Sequence, residues 1–204
     1  MCWFLTTGKT EVHYRECIDR LKEEVTDINP GHCGTDFETG LINACRYAFP
    51  NSVHVGCHFH YVQAVRRKRV ACGITDALLA NNESVKMMFD TSKILTMLPS
   101  GDFEEGIKYL EEMVPEPRPQ CVQEYIHYLR TYWLRREYSM FCVTCTENFE
   151  IHSYLLLGRN VASVFRAPRR TNNDVEIYHK YLIQHMKITT RGNHRPNTFT
   201  FLSK

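Results

Sequence analysis

The sequence predicts an α/β protein that is predominantly helical. Short apolar segments alternate with helical patterns at the start, a long middle region has helical periodicity throughout, and one more helical pattern lies near the end. The 204 residues suffice to bury a substantial core, and 43% apolar residues are typical of a globular chain. Because the formal net charge is only +2, any nucleic-acid surface must be a local patch.

The first two elements are predicted to be a strand and a helix. Residues 2 to 7, CWFLTT, are mostly apolar and are followed by Gly8, which is typical of a short strand that ends in a turn. From Thr10, a suitable N-cap, apolar residues recur at helical spacing as far as Val25. We expect this helix to end before Asn29.

A second helix and a second clear strand come next. Residues 32 to 36, HCGTD, are polar and rich in glycine, so they support a strand only weakly. The following segment has one apolar stripe from Phe37 to Ala48 and is expected to stop before Pro50. Residues 53 to 57, VHVGC, are the next strand candidate.

The rest of the chain is predicted to be mainly helical. In the clearest helix Asp102 is the N-cap, Glu105 completes a capping box, and the apolar face runs from Phe103 to Met113. A proline-containing connector leads to another helix, and the segment 137 to 170 has no clear pattern. The last helix has its apolar stripe at Val175, Tyr178, Leu182 and Met186.

The composition also indicates where the protein resides. Nine cysteines, an odd number scattered through apolar segments, favour reduced thiols over a disulfide framework. The first ten residues, MCWFLTTGKT, show neither the basic n-region nor the long apolar run of a signal peptide, and no window approaches the roughly 18 apolar residues of a membrane span. We therefore expect a nuclear or cytoplasmic protein that is not secreted and has no membrane partner.

Four stretches of the chain carry a family resemblance. They are WFLTTGKTEVHY, TDFETGLINACRYAFP, VGCHFHYVQAVRRKRVACGI and RTNNDVEIYH, and they span positions 3 to 179. In this order they resemble the Mutator-like element (MULE) transposases and the domesticated or degenerate proteins derived from them. The resemblance implies an N-terminally truncated ribonuclease-H-like core interrupted by a large all-helical insertion. It assigns 1–58 to a partial core, 59–170 to the insertion, and 171–204 to a C-terminal core helix and tail.

The resemblance also implies metal-dependent DNA cleavage and strand transfer. In this family an Asp-Asp-Glu triad holds two Mg²⁺ or Mn²⁺ ions, which prefer hard oxygen ligands and activate the attacking oxygen. Asp36 in TDFE resembles the second acid and Glu176 in TNNDVE resembles the third, whereas no residue matches the first. We therefore expect a catalytically incomplete transposase domain whose partner is transposon-end DNA, with a homo-oligomer left open.

Each candidate acid also has a simpler interpretation. A carboxylate in the first turn of a helix is stabilised by the helix dipole, by roughly 0.3–1 kcal/mol. That interpretation applies to Asp36 and Glu176, and it is the favoured one for Glu38. The separation between Asp36 and Glu176 leaves room for the insertion but does not show that the two side chains meet.

A cysteine and histidine motif suggests a second kind of metal site. Cys57 and His60 have a spacing that can place two soft ligands on one zinc ion, and Cys142 and Cys145 could complete a Cys₃His set. The simpler interpretation is a buried structural cysteine next to a hydrogen-bonding histidine. A zinc-stabilised domain and a Cys–His hydrolase are alternatives based on the same residues.

Two basic segments are candidates for nucleic-acid contact. Their members are Arg66, Arg67, Lys68, Arg69, Arg166, Arg169 and Arg170. The first segment can be a nuclear localisation signal, a phosphate-contacting helix face or a solvated surface. The second precedes the last helix and is expected to contact a DNA backbone. A non-catalytic nucleic-acid or protein interaction module is therefore the rival hypothesis to the transposase.

Overall fold

The computed structural model describes residues 2–134, 161–168, 170–171 and 197–201. In chain order, the elements are β1 (Cys2–Thr6), α1 (Glu11–Glu24), β2 (His32–Thr35), α2 (Thr39–Ala48), β3 (Val53–Gly56), α3 (His58–Ala71), α4 (Asp76–Asn81), α5 (Glu83–Ser92), α6 (Phe103–Glu112), α7 (Gln120–Tyr128) and β4 (Asn197–Phe201). A π-helical segment, Leu129–Leu134, continues α7. The predominantly helical class is confirmed. Within the part of the chain listed above, no helix is long and apolar enough to cross a membrane.

The chain divides into two compact units. The first contains Met1–His54 and Thr171–Lys204, and the second contains Val55–Arg170. The sequence assigns an ancestral core to 1–58 and an insertion to 59–170. A division into compact units does not show which segment is the ancestral core and which is the insertion. The assignment from the sequence therefore stays a prediction.

The strands form two small sheets. β2 and β3 pair in parallel with α2 between them, so the segment is a β-α-β unit. β1 pairs with β4 in an antiparallel register that places Thr6 opposite Asn197. β4 was not expected, although the alternation of threonine and phenylalanine in NTFTF is the local signal for a strand.

α1 and α2 pack against each other in the first unit. Their shared core consists of Tyr14, Ile18, Cys33, Leu41, Ala44, Cys45 and Phe49. Near the N-terminal ends of the two helices, buried Asn43 donates a hydrogen bond from Nδ2 to Glu11 Oε2 at 3.0 Å. The predicted apolar stripe of α1 is confirmed except at Val25, which is exposed because the helix ends at Glu24.

The core of the second unit contains buried aromatic rings and hydroxyl groups that form hydrogen bonds with one another and with the backbone. The Tyr61 hydroxyl donates to the Ser92 carbonyl at 2.8 Å, and Ser92 Oγ lies 2.7 Å from the Tyr125 hydroxyl. The Tyr61 ring meets Trp133 edge-to-face, with 4.8 Å between the ring centroids. These groups are all nearly inaccessible to solvent, so their hydrogen bonds satisfy polar atoms that burial would otherwise leave costly.

The apolar face predicted for α6 is confirmed except at Met113, which follows the helix and is only partly buried, and the predicted capping box is wrong. Phe103, Ile107 and Leu110 are buried as the periodicity indicates. Asp102 makes no capping hydrogen bond, because it belongs to a 3₁₀ turn and lacks the extended backbone that a capping residue needs. Glu105 lies near Lys108 instead.

Candidate functional site

Asp36 directly follows β2, at the carboxyl end of a strand in the parallel unit. Its side chain is half-buried. Its Oδ1 atom is fully buried and has no hydrogen-bond partner among the residues that the structure describes. A buried carboxylate oxygen without a hydrogen bond destabilises the folded protein unless it binds a hydrogen-bond donor or a cation. α2 begins only at Thr39, so Asp36 lies before the first helical turn and the dipole does not explain its position.

Glu38 occupies the N-cap position of α2 but makes no capping hydrogen bond. The Tyr14 hydroxyl donates to its carboxylate, and Lys9 Nζ lies 3.7 Å from Oε2. Burial raises the pKa of Glu38, the charge of Asp36 raises it further, and Tyr14 and Lys9 oppose both effects. Glu38 therefore ties α2 to α1 as well as facing the helix dipole, which the sequence did not indicate.

The acids do not form a complete metal site within the range that the structure covers. No group of three or more histidine, cysteine, aspartate or glutamate side chains able to hold a metal ion occurs there. Glu176, Cys142, Cys145 and Arg169 lie outside the described residues. Asp36 still fits a divalent ion in one respect, because its buried oxygen, which has no hydrogen-bond partner in the described part of the chain, is a hard ligand of the type that Mg²⁺ and Mn²⁺ prefer.

Cys57 and His60 flank the start of α3. Cys57 is buried at the N-cap position. The His60 ring packs edge-on against Phe59, with 5.8 Å between the centroids. These placements suit structural roles, and the proposed second pair of zinc ligands falls outside the described range, so the zinc hypothesis stays a prediction.

His58, which the sequence did not single out, anchors a distant segment to α3. Its Nδ1 lies 2.7 Å from Thr96 Oγ1, and its backbone N–H donates to the Arg170 carbonyl at 2.9 Å. Burial, and then the charge of Arg170, lowers the pKa of His58. Its partners are distant in sequence, so no local pattern could have identified it. The side chains of Arg166 and Arg170 are exposed and accessible to an anion.

The four basic side chains of α3 have two different surroundings. Arg66, Arg67 and Arg69 line an open groove of about 590 Å³, whereas Lys68 Nζ lies 5.3 Å from the centre of the Tyr128 ring. Lys93, which directly follows α5, also lines the groove. The sequence missed Lys93 because it lies far from the basic run along the chain, and only the fold of the second unit brings it to the same groove.

Comparison of the chain with protein-family models, curated proteins and solved structures found no match. The resemblance to Mutator-like transposases therefore depends on the four sequence stretches. The geometry contributes two independent features to a functional argument. One is the buried oxygen of Asp36 in the first unit, and the other is the cationic groove in the second.

His54 should make stability depend on pH. Burial, and then the charge of Arg46, lowers the pKa of His54 from 6.5 to about 4. The unfolded chain binds more protons between these values, so this histidine costs stability as the pH falls from 6.5 towards 4. We expect His54→Gln to lose less stability over that range than the wild type, as measured by urea unfolding at several pH values.

The exposed His32 provides the matched control for this experiment. His32→Gln should follow the wild-type pH profile. Titration of Glu38 contributes with the opposite sign, since its pKa is raised, but it is present in all three proteins and cancels in the comparison. An unchanged profile in His54→Gln would contradict a buried, neutral histidine.

Proposed function

We propose that the chain is part of a DDE-type transposase domain of the Mutator-like class, acting in the nucleus on transposon-end DNA. The observation that carries the proposal is the position of Asp36 at the carboxyl end of a parallel strand, where its buried Oδ1 has no hydrogen-bond partner among the residues that the structure describes. In α/β sheets, ligands bind at the carboxyl ends of parallel strands. The resemblance identifies the same residue as the second acid of the catalytic triad.

The order of elements supports a ribonuclease-H-like ancestry for the first unit. β1, α1, β2, α2 and β3 alternate along the chain, and the second unit follows before the chain returns to the first. This agrees with the core and insertion that the resemblance implies. Other α/β folds share such an alternation, so the specific proposal depends on Asp36 and the four stretches.

Asp36 and Glu176 would hold the divalent ions, Glu176 by resemblance alone. When bound, such an ion acts as a Lewis acid on the phosphodiester and lowers the pKa of the attacking water. Asp36 supplies a hard oxygen ligand, while Glu38 is already engaged by Tyr14 and Lys9. Because this chain carries no counterpart of the first acid, we propose that it binds divalent ions weakly and does not cleave DNA on its own.

Metal binding by Asp36 can be tested through stability. In EDTA, Asp36→Asn should be as stable as the wild type or more stable, because it removes a partly buried charge that no described residue pairs with. Millimolar Mn²⁺ should raise the melting temperature of the wild type but not that of Asp36→Asn. Asp19→Asn, an exposed change on α1, is the control and should respond like the wild type. Equal stabilisation of all three proteins by Mn²⁺ would rule out Asp36 as a ligand.

The absence of cleavage is tested with terminal-repeat DNA of a Mutator-like element. We expect the purified chain to leave this DNA intact in Mn²⁺ while binding it in a salt-dependent way, through exposed cations such as Arg166 and Arg170. Cleavage that disappears in Asp36→Asn would show that the chain is an active nuclease and would overturn the inactivity that we propose.

A non-catalytic interaction module is the second candidate. The observation that favours it is the open groove lined by Arg66, Arg67, Arg69 and Lys93. This surface belongs to the helical unit and involves neither candidate acid. It could therefore bind a partner whether or not Asp36 binds a metal ion.

A further inference from the structure

We propose that the groove formed by α3, α4 and α5 binds a short acidic peptide segment of a partner protein, one that also carries apolar side chains. The groove lining combines apolar side chains, which we call its floor, with cations, which we call its rim; its one acid, Asp76, pairs with the rim cation Arg69. The floor and the rim each select one component of such a ligand. This partner is independent of the DNA activity proposed above, and either proposal can fail without the other.

The floor of the groove is apolar. Val70, Leu79 and Phe89 contribute to its lining, and Val70 is 63% exposed. A complex is stabilised when the ligand removes exposed apolar surface of a concave site from water. An apolar side chain from a partner would bury this surface, whereas a purely ionic ligand would leave it uncovered.

The rim has two cations available for a ligand. Arg69 is held by Asp76 at 2.6 Å, and Lys93 by Asp90 at 2.6 Å. Arg66 and Arg67 are exposed and form no ion pair with any residue that the structure describes. They are therefore free to pair with carboxylates, and each arginine can hold a carboxylate through two hydrogen bonds.

Nucleic acid fits the groove less well than an acidic peptide. The Phe89 ring is only 6% exposed and lies beneath two cations, Arg69 and Lys93, so it cannot serve as a stacking platform for a base. Two unpaired cations are few beside the roughly 6–10 phosphate contacts of a strongly salt-dependent DNA binder. A phosphate backbone would also leave the apolar floor unused.

The size of the groove suits a short segment. Its volume of about 590 Å³ lies within the roughly 300–1,000 Å³ of typical ligand sites. That space accepts a few side chains of an extended peptide. The carboxylates would lie at the rim near Arg66 and Arg67, and the apolar side chains would lie on Val70 and Leu79.

The proposal is tested with a random-peptide display library selected on the full-length chain. We expect the enriched peptides to carry aspartate or glutamate next to leucine, isoleucine or phenylalanine. A dye-labelled synthetic copy of the enriched sequence should bind the chain in fluorescence anisotropy. Replacing its acids by amides, or its apolar residues by alanine, should weaken binding by at least about tenfold.

Variants of the chain locate the binding site. Arg67→Glu and Val70→Asp should each weaken binding of the synthetic peptide by at least about tenfold, because they place negative charge at the rim and on the floor. Lys108→Glu and Val12→Asp make the same changes at exposed positions elsewhere and should alter affinity by less than about twofold. Circular dichroism spectra should be unchanged in all four variants, since the substituted side chains are exposed.

Three results would overturn the proposal. The first is a library that yields no peptides, or only neutral ones. The second is peptide binding that Arg67→Glu and Lys108→Glu reduce equally. The third is a random-sequence DNA duplex that binds more tightly than the peptide and is released by Arg67→Glu, which would assign the groove to nucleic acid.

Discussion

Replacing Trp133 by alanine should destabilise the second unit by about 3–5 kcal/mol, the usual cost of removing a large buried aromatic side chain. Trp133 is 2% exposed, its Nε1 donates to the Tyr128 hydroxyl at 3.0 Å, and its ring packs against Tyr61. The change removes packing contacts and leaves a cavity that rigid neighbours cannot fill. Urea unfolding followed by the helical circular dichroism signal measures the loss.

The neighbouring residue provides the control for this prediction. Tyr132 lies next in sequence but is 37% exposed, so Tyr132→Ala should cost clearly less than Trp133→Ala. Trp133→Phe keeps an aromatic ring and should fall between the two. Equal losses in the two alanine variants would contradict the placement of Trp133 in the core.

Replacing Gly40 by alanine should cost the first unit about 1–3 kcal/mol, as expected when a group is forced into filled space. A Cβ at Gly40 would lie 3.0 Å from the Glu11 backbone nitrogen and 3.1 Å from the Lys9 carbonyl oxygen. Both contacts are with backbone atoms, which cannot rotate away as a flexible side chain would. The start of α2 would have to move away from the residues that precede α1, and Asp36 lies just before that start.

Gly34→Ala is the matched control, because a Cβ at this position in β2 would meet no atom of a described residue within 4 Å. It should change the free energy of unfolding by less than about 0.5 kcal/mol, measured by the same urea titration. If Gly40→Ala were equally neutral, the close approach of α2 to Lys9 and Glu11 would be wrong.

The helices were the most predictable part of the fold. Periodic apolar residues predicted α1, α2 and α6, because a helix that packs on one side must place apolar residues at helical spacing. β2 was predicted only weakly, since HCGT has little strand character. Its Cys33 and Thr35 are nevertheless buried in alternation with exposed neighbours, because pairing with β3 decides the conformation of the segment.

The sequence predicted which residues belong to the candidate site, but it did not predict the surroundings of their side chains. The TDFE motif singled out Asp36, yet the lack of a hydrogen-bond partner for its Oδ1 among the described residues is a property of the surrounding atoms. The engagement of Glu38 by Tyr14 and Lys9 depends on how α1 packs against α2. Similarly, the basic run was visible in the sequence, while its separation into three groove residues and one residue facing Tyr128 was not.

By itself, the sequence determined the helical class, the main apolar faces and the candidate acid Asp36. These are local properties, since the spacing of apolar residues and the residues of a motif can be read over a few turns of chain. Tertiary structure decided that Asp36 keeps a buried oxygen to which no described residue hydrogen-bonds, and that Lys93 joins the arginines of α3 at one groove. Such properties arise from contacts between residues far apart in the chain, so they exist only once the helices have packed.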